Sequence, residues 1–214
     1  MRFHAKATDS RPVLEPRAMP LSCTDPARRE IHHRRIDVRG FERDDGLWDI
    51  EGRLTDVKSY AFANKDRGMI EAGDPVHDLS LRLTIDLSLR VHAAEAVIDK
   101  SPFSVCPEVT EAYGRLVGLT IGPGFRRAAA ERVGGARGCT HLSELLGPVA
   151  TTAFQTLHRA QLVALDQGGA GAERAAAQMR TVVDSCHALR ADGPVIAREW
   201  PDLAQSSAPP SDAG

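Results

Sequence analysis

The sequence predicts an α+β fold in which an antiparallel β-meander of three to four strands comes first and helices then pack on one face of the sheet. Between residues 31 and 99, apolar and polar side chains alternate with the period of two that is typical of half-buried strands. After residue 100, apolar residues recur every three or four positions, as they do on one face of a helix. Strands followed by helices, instead of alternating with them, indicate that sheet and helices form separate layers.

The strands are recognised by alternation and by the turns between them. The predicted bounds are 31–43, 47–60, 79–88 and 89–99. Asp44-Asp45-Gly46 joins the first two strands, because an Asp-Gly pair tolerates the positive φ of a tight hairpin. The second strand places Trp48, Ile50 and Leu54 on one face. In the third strand every second residue is apolar, which predicts one wholly apolar face: Leu79, Leu81, Leu83, Ile85 and Leu87.

The fourth predicted strand carries a charged residue among apolar ones. Its apolar residues share one phase, which we expect to face the core: Leu89, Val91, Ala93 and Val97. Glu95 falls in the same phase, and a carboxylate on a core face is costly unless it is paired. Glu95 is therefore interpreted either as a strand-end or arginine-paired residue, or as a carboxylate that lines a polar site.

Glycines and prolines divide the helical region into four predicted segments. Their bounds are 107–117, 125–133, a long helix that begins near 140, and 172–189. Gly147-Pro148 lies inside the long pattern and predicts a kink or a break, because proline removes a helical hydrogen bond and clashes with the preceding turn. Cys186 belongs to the apolar stripe of the last segment, which predicts a small core residue.

The composition indicates an ordinary globular protein, with 42% hydrophobic residues, 26% charged residues and a formal net charge of −2. That charge argues against a general nucleic-acid binder, and the basic run at 28–35 is interpreted as a solvated strand edge or tail. No stretch approaches the roughly 18 apolar residues of a membrane span, and the first residues lack the apolar centre of a secretory signal. We therefore expect a cytoplasmic protein that binds neither nucleic acid nor membranes, while a protein partner and the identity of any small-molecule substrate stay open.

A single domain is predicted between two tails. Residues 1–28 contain four prolines and show no periodicity, whereas the chain ends in a stretch rich in proline, serine and alanine. We therefore expect residues 1–28 to be a disordered or extended tail, residues 29–192 to be one α+β domain, and residues 193–214 to be a disordered tail.

The four cysteines, Cys23, Cys106, Cys139 and Cys186, are too few and too widely spaced to form a disulfide framework in a chain of 214 residues. Cys106 precedes a proline that can start a helix, and Cys139 precedes Thr140, a good N-cap residue. Backbone N–H groups and the helix dipole favour a thiolate at such positions. Cys106 and Cys139 are therefore candidates for metal ligation or for reaction.

Histidines and an aspartate add further ligand types to these thiols. His77 and Asp78 open the third strand, and His141 follows Cys139 by two residues. A strand start and two helix starts can meet at one end of an α+β sandwich, where these side chains would supply donors that zinc and iron accept. The predicted metal ligands are His77, Asp78, Cys106, Cys139 and His141. Two alternatives stay open: Cys139 as a catalytic nucleophile or sulfur carrier, with His141 or His77 as base, and a non-catalytic accessory or binding module.

Four segments of the chain carry a family resemblance. They are RDDGLWDIEGRLTDVKSY, HDLSLRLTID, LVGLTIGPGFRR and GCTHLSELLGPVATTAFQT. These strings, spread over roughly residues 30–160, resemble the bacterial family of uncharacterised proteins called DUF2889. The resemblance implies no particular activity, so the chemistry has to be inferred from the residues themselves.

A second resemblance covers residues 73 to about 157. Gly73-Asp74-Pro75, a strand pair, Cys106 and Cys139 follow one another in an order similar to that of the NifU-like and SufU-like iron–sulfur scaffold proteins. The resemblance implies a SufE/NifU-like fold and a site for zinc or an iron–sulfur cluster, with Asp78 near the family's aspartate. His77 stands where the family has its first cysteine, which puts cluster assembly itself in question.

Overall fold

The computed structural model describes residues 27–201, and every helix and strand named below lies in the compact unit that begins at Ile31. Cys23 and most of the two predicted tails lie outside the described residues. No described helix combines the length and the apolarity needed to cross a membrane.

The predicted α+β fold is confirmed. Within the described residues, six strands precede the helices: β1 (His32–Glu42), β2 (Trp48–Lys58), β3 (Phe62–Asn64), β4 (Gly68–Ile70), β5 (Pro75–Ile85) and β6 (Val91–Lys100). Four of them form an antiparallel sheet in the order β1-β2-β5-β6, whereas β3 and β4 form a separate two-stranded hairpin. This hairpin interrupts the meander between its second and third long strands.

One face of the sheet forms the floor of the core. Ile50 lies opposite Leu83, and Leu54 opposite Leu79, and directly opposed residues of antiparallel strands share a face. These four side chains are fully buried or nearly so, as the alternation in β2 and β5 predicts. The helical layer approaches closely at Gly52, where an added Cβ would lie 2.8 Å from Val149 Cγ2.

The phase predicted for the fourth strand is confirmed for Leu89 and Val91, which are buried in the core, and is wrong beyond them, because the register of β6 shifts near its start. Val91 lies opposite Ile85, but Ala93 lies opposite Thr84. Two steps on β6 therefore match one step on β5, which makes His92 the extra residue of a β-bulge. A bulge of one residue moves every later side chain to the other face of a strand.

Beyond the bulge, the inward side chains of β6 differ from those predicted. Three residues pack against the core: Ala94, Ala96 and Ile98. Glu95 and Val97 are exposed on the outer face. There Glu95 forms an ion pair with Arg82, which lies directly opposite it on β5. The carboxylate in the apolar phase is thus an arginine-paired surface residue, one of the two readings that the sequence allows.

Among the described residues, four α-helices and three 3₁₀ segments follow the sheet, one of which is the short turn Gly135–Arg137. The α-helices are α1 (Phe125–Val133), α2 (Thr140–Gln167), α3 (Gly169–Arg180) and α4 (Pro194–Glu199). The segment predicted as a helix at 107–117 is a 3₁₀ helix, Cys106–Leu116, with Tyr113 and Leu116 buried. A further 3₁₀ turn, His187–Leu189, lies between α3 and α4.

A break at Gly147-Pro148 is contradicted by the structure, since α2 runs through Pro148 without interruption. A proline ring normally pushes the preceding residue out of the helical region by clashing with its Cβ and N–H. Gly147 has no Cβ, so this obstacle is reduced. The apolar face of α2, which includes Leu145 and Val149, is buried against the sheet and favours a continuous helix.

The last predicted helix is shorter than expected. α3 ends at Arg180, and Asp184 then adopts a positive φ of 60°, with its N–H donating to the Leu189 carbonyl at 2.8 Å. The β-branched residues directly after Arg180 have low helix propensity, which explains the early end. Cys186 is exposed, so its predicted core position is wrong. The region predicted as a tail from residue 193 begins with α4, in which Ile196 is fully buried.

Candidate metal site

A buried carboxylate lies at the end of the core face of β2. Asp56 continues the alternation of Trp48, Ile50 and Leu54, and its side chain is only 1% exposed. Its two cross-strand neighbours are Arg34 on β1 and His77 on β5. Because directly opposed residues share a face, both side chains meet the carboxylate on the core side of the sheet.

Four hydrogen bonds satisfy the Asp56 carboxylate. Arg34 donates from Nε to Oδ1 at 2.8 Å and from its terminal nitrogen to Oδ2 at 2.7 Å. His32 Nε2 lies 3.0 Å from Oδ1, and His77 Nδ1 lies 3.0 Å from Oδ2. Burial alone would raise the pKa of Asp56, but Arg34 and the two histidines lower it to about 2. The carboxylate is therefore ionised at neutral pH.

Two imidazoles stack beside this carboxylate. His141, in the first turn of α2, lies over His77 with ring centroids 3.8 Å apart and planes inclined by 32°. Burial and the charge of His141 lower the pKa of His77, against the opposite effect of Asp56. Burial and the charge of Arg34 lower the pKa of His141. Both rings are therefore neutral at pH 7, the form in which histidine binds metals.

Asp56, His77 and His141 form a compact group of ligand atoms, all within 4.8 Å of one another. His77 Nδ1 lies 3.0 Å and His141 Nε2 lies 3.9 Å from Asp56 Oδ2. Ligand atoms around a tetrahedral ion at bond lengths of 2.0–2.1 Å are about 3.3 Å apart. The two separations from Asp56 bracket that value, and the three ligand atoms lie within 4.8 Å of one another, so the rings would have to move closer together to complete a three-ligand site.

A cavity of about 330 Å³ opens beside the two imidazoles. Four of the five predicted ligands line it: His77, Cys106, Cys139 and His141. Cys139 Sγ lies 3.9 Å from His141 Nδ1, the ring nitrogen that does not face Asp56. The cysteines thus share the cavity with the histidines, although neither belongs to the compact group of Asp56, His77 and His141.

Asp78 lies on the other side of the sheet. Successive side chains of a strand point to opposite faces, so His77 and Asp78 cannot both face the cavity. Arg53 donates two hydrogen bonds to the Asp78 carboxylate, at 2.8 and 2.6 Å. The structure therefore separates Asp78 from the other four predicted ligands.

The backbone of Cys139 is fixed by a buried tyrosine. The Tyr113 hydroxyl accepts a hydrogen bond from the Cys139 N–H at 3.1 Å and lies 2.8 Å from the Cys139 carbonyl oxygen, to which it can donate. Cys139 is the N-cap of α2, the place predicted for Thr140, and its side chain makes no capping bond. The thiol is thus held at the cavity wall without being used by the helix.

Comparison with known proteins identifies a family but no activity. The family model described as "Protein of unknown function (DUF2889)" matches residues 32–155. This segment contains Asp56, His77, Cys106, Cys139 and His141. No curated protein and no solved structure matches the chain, so the NifU-like and SufU-like resemblance stays a prediction.

Proposed function

Because the chain belongs to the DUF2889 family, whose description names no function, we propose from the site itself that the protein binds one zinc-type divalent metal ion. The ligands are Asp56, His77 and His141. The observation that carries the proposal is the convergence of one carboxylate and two imidazoles, from β2, β5 and α2, within 4.8 Å. Two imidazoles with one carboxylate are an established ligand set for catalytic zinc and for non-haem iron.

Metal binding would replace a proton in the network. His77 Nδ1 now shares a hydrogen with Asp56 Oδ2 across 3.0 Å. A metal ion placed there would take the Nδ1 lone pair and the free side of Oδ2, while the hydrogen moves to Nε2 of the same ring. Arg34 keeps its two bonds to the carboxylate and orients it, as outer partners of metal ligands do.

The ligand set favours a single ion over an iron–sulfur cluster. Clusters are held by cysteine thiolates, and the compact group contains none. Cys139 fits an outer position instead, since it lies 3.9 Å from Nδ1 of His141. Three protein ligands leave a coordination position free, as in catalytic zinc sites, and both imidazoles line the cavity. The cavity therefore borders two of the three ligands, although Asp56 does not line it; a molecule bound there would approach the metal past the two imidazole rings.

The test is metal binding by the full chain purified without an affinity tag and stripped with a chelator. Calorimetry with Zn²⁺ should give about one ion per chain, and His77→Gln or His141→Gln should weaken binding by more than the roughly 10- to 100-fold typical of losing an outer partner. His92→Gln is the matched control, because His92 also pairs with an aspartate, Asp86, at 2.8 Å. Equal affinity in all three variants would refute the assignment.

Cobalt substitution distinguishes the ligand sets. With Co²⁺ bound, ligation by cysteine would add an intense sulfur-to-metal charge-transfer band, whereas ligation by Asp56, His77 and His141 would not. We expect a spectrum without this band that is unchanged in Cys139→Ser and Cys106→Ser. A strong band that disappears in either serine variant would restore the cysteine-containing set predicted from the sequence.

A second candidate function is a cysteine-dependent enzyme. One observation favours it: His141 lies between the Cys139 thiol and the Asp56 carboxylate, 3.9 Å from each. This is the order of nucleophile, base and orienting acid in catalytic triads. In metal-free protein, this function requires Cys139 to react with iodoacetamide faster than Cys106 at about pH 6, below the usual thiol pKa. His141→Gln should abolish that difference.

A further inference from the structure

The cavity beside His77 and His141 is apolar away from the metal group. Six apolar side chains line it: Leu79, Ile98, Pro102, Phe103, Val105 and Val109. Among the described residues, no lysine, arginine, aspartate or glutamate lines its wall. Phe103 and Val105 border the cavity and are 58% and 60% exposed. Exposed apolar residues that border a pocket are typical of ligand-binding grooves.

The exposed residues are held in place by hydrogen bonds. Asp66, in the turn between β3 and β4, accepts bonds from the Ser104 N–H at 2.7 Å and from the Ser104 hydroxyl at 3.0 Å. The Ser101 hydroxyl donates to the Phe103 carbonyl at 2.9 Å. The separate β3–β4 hairpin therefore fixes the segment that carries Phe103 and Val105. The exposure of Phe103 and Val105 at the cavity mouth is therefore maintained by these hydrogen bonds.

We propose that this cavity binds a small monoanionic molecule with an apolar body, whose acidic head group coordinates the metal. The head-group part rests on the proposed function, whereas the apolar part rests on the cavity wall. A zinc ion would bring two positive charges and Arg34 brings one, while Asp56 and Glu144, both paired with Arg34, each remove one. The site then carries one net positive charge, which one anionic head group neutralises.

The volume of the cavity limits the size of the ligand. At roughly 30 Å³ for each water-sized group, the volume of about 330 Å³ accommodates on the order of ten heavy atoms. Medium-chain and aryl-substituted carboxylic acids are of this size. Longer chains could extend through the mouth along Phe103 and Val105.

Hydroxamates of two lengths test the proposal, because the head group is the same and only the apolar body differs. Octanohydroxamate should bind the zinc-loaded full chain at least about 100-fold more tightly than acetohydroxamate, since each buried methylene is worth about fourfold in affinity. Calorimetry measures both affinities, and the zinc retained on the protein is determined in the same samples. Metal titration without hydroxamate tests the proposed function separately.

Variants at the mouth assign the binding to this cavity. Phe103→Ser and Val105→Ser should each weaken octanohydroxamate binding by about tenfold, on the scale of a few lost methylene contacts, and leave acetohydroxamate binding unchanged. Val97→Ser is the matched control, because Val97 is also an exposed valine but lies on the outer face of the sheet. All three positions are exposed, so the variants should fold.

Each contrary outcome has a distinct meaning. Zinc binding with equal affinity for the two hydroxamates would overturn the apolar ligand and leave the metal site intact. Absence of zinc binding would overturn both. Association of the protein with neutral phosphatidylcholine vesicles, lost in Val105→Ser and insensitive to octanohydroxamate, would assign the exposed mouth to a membrane surface and overturn the small-molecule proposal.

Discussion

Replacing Tyr113 with phenylalanine tests how Cys139 is held at the cavity wall. Tyr113 is fully buried, and its hydroxyl lies within 3.1 Å of the Cys139 N–H, the Cys139 carbonyl oxygen and the Ser143 hydroxyl. Phenylalanine keeps the ring and removes only the hydroxyl. The substitution therefore isolates the hydrogen bonds at the start of α2.

The magnitude follows from the groups that lose a partner. After Tyr113→Phe, the Cys139 carbonyl still accepts a bond from the Ser143 N–H at 2.9 Å, and the Ser143 hydroxyl can still reach the Val133 carbonyl at 3.5 Å. The Cys139 N–H alone is left without the bond it makes now. One orphaned buried donor costs about 1–3 kcal/mol, so we expect the free energy of unfolding to fall by about 2 kcal/mol.

Urea denaturation of metal-free protein, followed by circular dichroism, measures this change. At about 2 kcal/mol, the melting temperature of a domain of this size should fall by about 4–8 °C. Tyr60→Phe is the control, because Tyr60 is 44% exposed and should change stability by less than about 0.5 kcal/mol. The reasoning is refuted if Tyr113→Phe and Tyr60→Phe destabilise the protein equally. Alkylation of Cys139 should also quicken in Tyr113→Phe, since its backbone is less restrained.

Two further predictions concern α2 and the buried carboxylate. The helix α2 is continuous through Pro148. Pro148→Ala should therefore restore a backbone hydrogen-bond donor to the helix and raise the free energy of unfolding by about 1 kcal/mol or more, measured by urea denaturation. A loss of stability would show instead that the proline ring is needed for packing. Burial raises the pKa of Asp56, but Arg34 and the histidines lower it from 3.8 to about 2, so the stability that its charge provides exists above about pH 4 and disappears as the pH falls towards 2. In a His77→Gln/His141→Gln background, which removes two of the three neighbouring histidines and keeps Arg34 and His32, adding Asp56→Asn should therefore cost up to about 2 kcal/mol less at pH 2 than at pH 5. A difference independent of pH would contradict the shifted pKa.

The sheet could be predicted from the sequence because apolar and polar side chains alternate regularly along β2 and β5. Trp48, Ile50 and Leu54 face the core as their spacing requires. The prediction failed in β6, where the bulge at His92 reverses the phase. A bulge adds one residue without changing composition, so nothing in the local pattern marks it. The error moved Glu95 to the core face, although it pairs with Arg82 outside.

The same alternation in β2 also indicates that Asp56 is buried, although Asp56 is not among the site residues predicted from the sequence. Asp56 follows Leu54 by two residues, so the alternation in β2 places its carboxylate on the core face of the sheet. Arg34 belongs to the basic run that is interpreted as a solvated edge. Its role could not be predicted locally, because its partner Asp56 lies 22 residues away along the chain. His77 and Asp78 could likewise be separated in advance, since neighbours on a strand face opposite sides. The meeting of His77 with His141 depends on the packing of α2 over the sheet, which local patterns do not encode.

The buried charge of Asp56 is better explained by positioning than by stability. Taking two charges out of water costs several kcal/mol per ion, and buried ion pairs can often be replaced by apolar residues without loss of stability. What the bidentate Arg34 contact provides is orientation: it occupies one lone pair on each carboxylate oxygen. His32 takes the second site on Oδ1, so the remaining site on Oδ2 faces the stacked histidines. A carboxylate fixed in this way presents one oxygen to two neutral imidazoles before any ion arrives, and rigid support of this kind is what a precise metal site needs.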